Sequence, residues 1–187
     1  IAGIPVSANS GTYEYTFEVT DNDGNTGSVS WTITVEDAAA FTNVDNKTLG
    51  GQDNSTIGSF YNADGTIYLS GPANANPENV DLFYYVGSTN GPTLWSTSDA
   101  DAVGDDIFGI TGWSTRNATK VGVSTLTYAD ATEADVLAAS ITGTKANVDV
   151  GTVVVFETAS GVRGILEITS LAAGNDGSVT FDSKIIE

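Results

Sequence analysis

The sequence contains no cysteine, no histidine and no methionine, and it has only 6 basic residues. Each absence excludes a class of chemistry. Without cysteine there is no disulfide framework and no thiolate nucleophile. Without histidine there is no Ser-His-Asp triad, no imidazole general base and no His-ligated zinc or iron. Methionine is missing even at position 1, which predicts a processed, trimmed or partial product. No apolar run approaches the ~20 residues of a membrane-spanning helix, and no signal peptide is recognisable. The scarcity of lysine and arginine argues against nucleic acid and against an anionic membrane surface, because both need clustered cations.

Acid is abundant: 24 Asp and Glu set the net charge at -18. Charged residues still make up only 16% of the chain, so most of the polar surface must come from Thr, Ser, Asn and Gly, a style suited to extracellular β-proteins. The hydrophobic fraction of 40% is enough to bury a core. Two readings of the acidity stand: solubility alone, or an attraction for divalent cations, calcium first among them.

The clearest local pattern spans Thr12–Val35. Tyr13, Tyr15, Phe17 and Val19 alternate with polar residues, and Val29, Trp31, Ile33 and Val35 do the same on the returning arm. Period two predicts strands with one dry face, and Asp23-Gly24 supplies the turn. A lone hairpin is marginal in water, so this face predicts a cover. Ile4-Pro5-Val6 reads as a short edge strand before it. Asn43–Asn54 is rich in Asn, Asp and Gly and reads as loop. Ser59-Phe60-Tyr61 and Thr66–Leu69 flank a second turn. Val80–Val86 and Val153–Phe156 are apolar on both sides, which predicts interior strands. Asp130 and Glu133 match a capping box, predicting a helix over Ala134–Ile141. The runs Thr152–Thr158, Val162–Thr169 and Ser178–Ile186 predict an antiparallel meander.

Two resemblances follow from quoted stretches. Gly3-Ile4-Pro5, Gly11–Phe17, Val19–Asn25 and Trp31–Val35 resemble the closing half of a bacterial immunoglobulin-like repeat, which implies a β-sandwich spacer of a cell-surface protein with its first half missing. Gly58–Tyr61, Val80–Tyr85, Trp113–Thr119, Val150–Thr158, Gly164–Ile168 and Gly177–Asp182 are similar to C-terminal modules of surface lipoproteins from Bacteroidetes. The expected fold is mainly β. A partial immunoglobulin-like β-sandwich region at 1–37 precedes a mixed α+β module at 40–187 with one helix and the C-terminal meander.

Candidate chemistry sits in three places. Asp21, Asp23 and Asn25 have the spacing of a calcium loop, but an EF-hand would need Glu where Thr32 stands, and Asx residues also build ordinary turns. Asp99, Asp101, Asp105 and Asp106 form a denser acidic stretch, either solvated or cation-screened. Trp95 and Trp113, with Tyr84, are the aromatic candidates for stacking on sugar rings, or else core residues. No pair of carboxylates falls in a recognisable hydrolase frame, so no enzyme is expected. The reading is a non-catalytic structural or adhesive segment of an extracellular or cell-surface protein, with a glycan-binding module as the alternative. Its expected partners are other surface proteins, neighbouring subunits or glycans, with neither nucleic acid nor membrane insertion.

Overall fold

A computed structural model of the chain describes residues 11–35 and 41–186. It divides into two units, Ile1–Ala39 and Ala40–Glu187. Of the described residues, strands account for 46% and helices for 15%, and every strand ladder among them is antiparallel. The fold is therefore mainly β. The predicted strand at Ile4–Val6 lies outside the described residues.

In the first unit, β1 (Gly11–Thr20) and β2 (Thr26–Val35) form a two-stranded sheet. Tyr13 opposes Ile33, Tyr15 opposes Trp31 and Phe17 opposes Val29, so one face is an apolar stripe. The other face pairs Glu14 with Thr32 and Thr16 with Ser30, whose hydroxyls lie 2.9 Å apart. The two strands are the described part of the region expected to be a partial sandwich.

The second unit begins with β3 (Phe41–Gly50), β4 (Phe60–Tyr61) and β5 (Ile67–Tyr68), followed by α1 (Ser70–Ala75) and a 3-10 turn at Pro77–Asn79. Next come β6 (Leu82–Gly87), β7 (Gly91–Ser96), α2 (Ala100–Gly104), a 3-10 segment at Ile107–Gly112 and β8 (Lys120–Ser124). The chain closes with α3 (Glu133–Ala138), β9 (Lys145–Asn147), β10 (Val153–Glu157), β11 (Arg163–Ala172) and β12 (Ser178–Ile186). Two five-stranded sheets result, ordered β3-β12-β11-β10-β8 and β5-β4-β6-β7-β9. The predicted meander occupies the middle of the first, and the predicted second hairpin is β4–β5.

The sheets face each other across one core. Leu82, Tyr84 and Leu94 of one sheet meet Val154, Phe156, Leu166 and Phe181 of the other. Alternate residues point the opposite way and are covered too. Phe83 and Trp95 lie under α1, α2 and the 3-10 segment, with Ala73, Ala102 and Ile110. Val153, Val155 and Ile165 lie against Val136 of α3. Cover on both faces is the physical reason that β6 and β10 read as unbroken apolar runs.

Two expectations are corrected. Asn43–Asn54 reads as loop, yet Phe41–Gly50 is an edge strand paired with β12. An edge strand tolerates polar side chains, and only Val44 and Leu49 turn into the core. Their odd spacing comes from a register shift opposite Asp182, whose carboxylate accepts the backbone N–H of Asn46 at 2.6 Å. Asn46 sits at φ 53, the left-handed conformation of a bulge that asparagine tolerates. The helix frame is also displaced. Thr132, not Asp130, is the N-cap, and Asp135, not Glu133, returns the bond to it. The helix ends at Ala138, short of Ile141, which is buried in the third core cluster.

Candidate functional site

Asp21 is the anchor of its turn. One carboxylate oxygen accepts from the N–H groups of Asp23 and Asn25 at 2.9 and 2.8 Å, and the other accepts from the Asn25 amide at 2.8 Å. The Asn25 bonds hold its pKa below the usual value. Both oxygens are thereby turned inward to the loop rather than presented to an ion.

Asp99 has a similar assignment. It caps α2, accepting from the N–H groups of Asp101 and Ala102, and its second oxygen takes the Thr144 hydroxyl at 2.5 Å. Asp101 pairs with Lys145. Asp106 accepts from the N–H and hydroxyl of Thr111 and is held below its ordinary pKa by them. Asp105 borders a small cavity of about 90 Å³ beside Trp95 and Tyr85. The dense acidic stretch thus resolves into separate local duties. Among the described residues no three His, Cys, Asp or Glu side chains converge as a metal site. The carboxylate oxygens of Asp21 and Asp99 all accept internal hydrogen bonds.

The aromatic candidates are core residues. Trp95 is 2% exposed and Trp113 6%. Trp95 stacks on Phe83 at 6.3 Å between centroids, with the Lys145 ammonium 4.7 Å from its ring centroid. Trp113 packs 5.5 Å from Phe60, and Tyr84 is fully buried between the sheets. The expectation of a sugar-stacking face at Trp95, Trp113 and Tyr84 is corrected on this ground: none offers a free ring face. Trp31 does stand in solvent, 65% exposed, beside the exposed Phe17, Val19 and Val29.

A different group forms a built site. Asp81 is 9% exposed. One of its oxygens accepts the Ala63 N–H at 2.8 Å. Burial pushes its pKa up, the Ala63 bond opposes this, and the charge of Asp64 adds to it. Asp81 lines a cleft of about 260 Å³ with Asn62, Asp64, Ser160, Val162 and Ile185. The Asn62 carboxamide accepts from Asp64 N–H, and one Asp64 oxygen accepts from Thr66 N–H, which fixes the turn that forms the rim. A broader hollow of about 580 Å³ beside Arg116 holds no such buried acid.

No protein-family model and no curated protein matches the sequence. A solved structure does. It is a DUF4466 family protein from Parabacteroides merdae ATCC 43184, 17% identical, with a TM-score of 0.50 over 93% of this chain and 62% of that one. The present chain therefore spans less than two thirds of its length. At this identity the likeness concerns the fold, and it lies with a protein from a Bacteroidetes species.

Asp81 is the residue that sequence reasoning passed over. It sits at the head of an apolar run and was absorbed into the strand reading of Val80–Val86. The available signal was a lone acid inside an otherwise apolar run. Its site partners, on the Asn62–Asp64 turn and near Ser160, are distant in sequence and only the fold brings them together. Among the described residues no helix is long and apolar enough to cross a membrane.

Proposed function

We propose that the chain is a non-catalytic structural or adhesive segment of a bacterial extracellular or cell-surface protein. The observation that carries this reading is the hairpin Gly11–Val35, a two-stranded ribbon with exposed Phe17, Val19, Val29, Trp31 and Ile33. Scattered apolar residues need no explanation, but a contiguous aromatic stripe on one face of a ribbon marks an interaction surface. The ribbon resembles the last two strands of an immunoglobulin-like repeat, whose apolar face exists to be packed against further strands. The second unit fits a presented module: its acids serve as caps and turn anchors, and its aromatics form core. A cysteine-free, acidic, Thr- and Asn-rich surface suits an extracellular setting.

The test is retention of the labelled chain on intact bacterial cells and on immobilised extracellular matrix proteins. A variant with Phe17→Thr and Trp31→Thr should lose most of that retention while keeping its unfolding midpoint. Trp31 emission should shift to the blue in the bound state. Equal retention of the variant, absence of any retention, or turnover of glycoside or ester substrates would overturn the reading.

A further inference from the structure

We infer that the Asp81 cleft binds a primary ammonium carried on an aliphatic stem, as a lysine side chain carries it. This inference stands on the second unit alone and does not depend on the hairpin.

The starting point is a largely buried acid, Asp81, without a cationic partner among the described ion pairs. Those pairs involve Lys120, Lys145 and Arg163, and none includes Asp81. Its Oδ2 is held by the Ala63 N–H. Its Oδ1 accepts no hydrogen bond from any described residue, and Asp81 lines the cleft. A carboxylate this largely buried is costly to keep charged beside a single N–H, and a cation seated against it lowers that cost. The fold supplies further acceptors at the same place. Asp64 uses one oxygen for Thr66 N–H, leaving the other. The Ser160 and Thr158 hydroxyls lie 2.9 Å from each other at the cleft.

The walls decide which cation. Val162 and Ile185 make much of the lining aliphatic. Calcium would need six to eight oxygens in that space, and the cleft has two carboxylates. An alkyl stem lies well against such walls while its charged head reaches the acid. Arginine fits less well. A guanidinium recognises a carboxylate as a planar fork against both oxygens, and the Ala63 N–H takes one acceptor position on Oδ2. An ammonium is a compact charge with three rotatable donors, which matches one open oxygen on Asp81, one on Asp64 and a hydroxyl. The volume of about 260 Å³ holds a four-carbon stem and leaves room for water. The net charge of -18 steers cations towards the protein over longer distances.

The experiment follows backbone amide resonances of the whole chain during titration with n-butylamine, with a short lysine-containing peptide capped at both ends, and with n-butanol as the uncharged control. Saturable shifts of the Ala63 and Ser160 amides are expected with both amines and none with n-butanol. Asp81→Asn keeps an oxygen for the Ala63 N–H and should weaken amine binding by about tenfold or more. Asp64→Asn, at the rim, should weaken it less. A peptide that binds more tightly than n-butylamine identifies a polypeptide lysine as the source, and equal binding identifies free alkylamines; either supports the inference. Absence of saturable shifts, unchanged affinity in folded Asp81→Asn, equal response to n-butanol, or displacement of the amine by stoichiometric calcium would overturn it.

Discussion

The Tyr61 hydroxyl lies 3.2 Å from Ser183 Oγ, buried where the two five-stranded sheets face each other. Ser183 donates its own proton to the Val44 carbonyl at 3.2 Å. Tyr61 must therefore be the donor to Ser183, and the pair forms a short relay from β4 through β12 to β3. The relay makes the two partners unequal. Tyr61→Phe leaves Ser183 with its carbonyl acceptor and should lower stability by about 0.5–1.5 kcal/mol. Ser183→Ala strands a buried phenol and should cost about 1–3 kcal/mol. Urea unfolding of both variants checks the order. A larger loss for Tyr61→Phe would mean that ring packing rather than the relay dominates.

The same tyrosine gives an alkaline signature. Burial, reinforced by the charges of Asp81 and Asp64, pushes its pKa up to about 12. A raised native pKa means that the folded state holds its proton more tightly. The stabilisation is full below the ordinary tyrosine value of about 10 and is lost as pH rises from there to about 12. Tyr84, Tyr128 and Lys145 are shifted upward as well. Tyr61→Phe should therefore make the fall in unfolding midpoint over this window shallower without abolishing it.

How far these features were legible depends on where each residue's neighbours lie. The interior strands β6 and β10 were readable because both of their faces are covered, and their composition says so directly. The hairpin was readable because Tyr13 to Val19 and Val29 to Ile33 alternate without a break. β3 was not, since an edge position and the bulge at Asn46 remove the alternation that identifies a strand. The helix near 130 offered two overlapping frames of one capping pattern, Asp130/Glu133 and Thr132/Asp135, and sequence spacing alone does not choose between them. The local duties of the acids are invisible in spacing: the oxygens of Asp21 and Asp99 accept from nearby N–H groups and from Thr144, which the fold delivers.

Asp99 is best tested through that last contact. Thr144 lies where the sheets meet, its carbonyl accepting from Ser96 N–H at 2.8 Å and its backbone bridging to Val121. Asp99→Ala removes the α2 cap and the Thr144 bond together and should cost about 1–2 kcal/mol or somewhat more. Asp99→Asn keeps the capping oxygen, and the Thr144 hydroxyl can rotate to accept from the amide, so it should lose only a fraction of that. Thermal melts of the two variants separate capping from charge. Equal losses would show that the negative charge itself is required.

Calcium makes a separate prediction. A ligand that binds only the native state raises stability by RT ln(1 + [L]/Kd). With the Asp21 and Asp99 oxygens committed to internal bonds, excess chelator should leave the melting temperature unchanged. A clear fall on chelation, restored by calcium, would require an ion shell that these carboxylates do not build.

Acid should act in two directions. A net charge of -18 on its own predicts that mutual repulsion raises carboxylate pKa values and that stability climbs broadly from pH 7 towards 5. In the structure Asp81 carries such a rise, and its chief cause is burial. Its ionised form burdens the native state at neutral pH, and the burden is relieved as pH falls through its raised native value towards the ordinary 3.8. Asp21, Asp106 and Asp135 are held low by hydrogen bonds, as is Glu157 by Lys120. Their contribution is present above the ordinary values of 3.8 and 4.5 and disappears as pH falls through the native ones. Stability should therefore rise modestly below neutrality, pass a maximum and then drop. Asp81→Asn should lift stability at pH 7 and flatten the rising arm, whereas Asp135→Asn should flatten the falling arm. An alkylammonium bound beside Asp81 would also flatten the rising arm, because it favours the charged form that protonation removes. Urea midpoints measured from neutral to strongly acid pH, with and without n-butylamine, therefore read the same carboxylate twice, and a rising arm unchanged by both the substitution and the amine would exclude Asp81 as its origin.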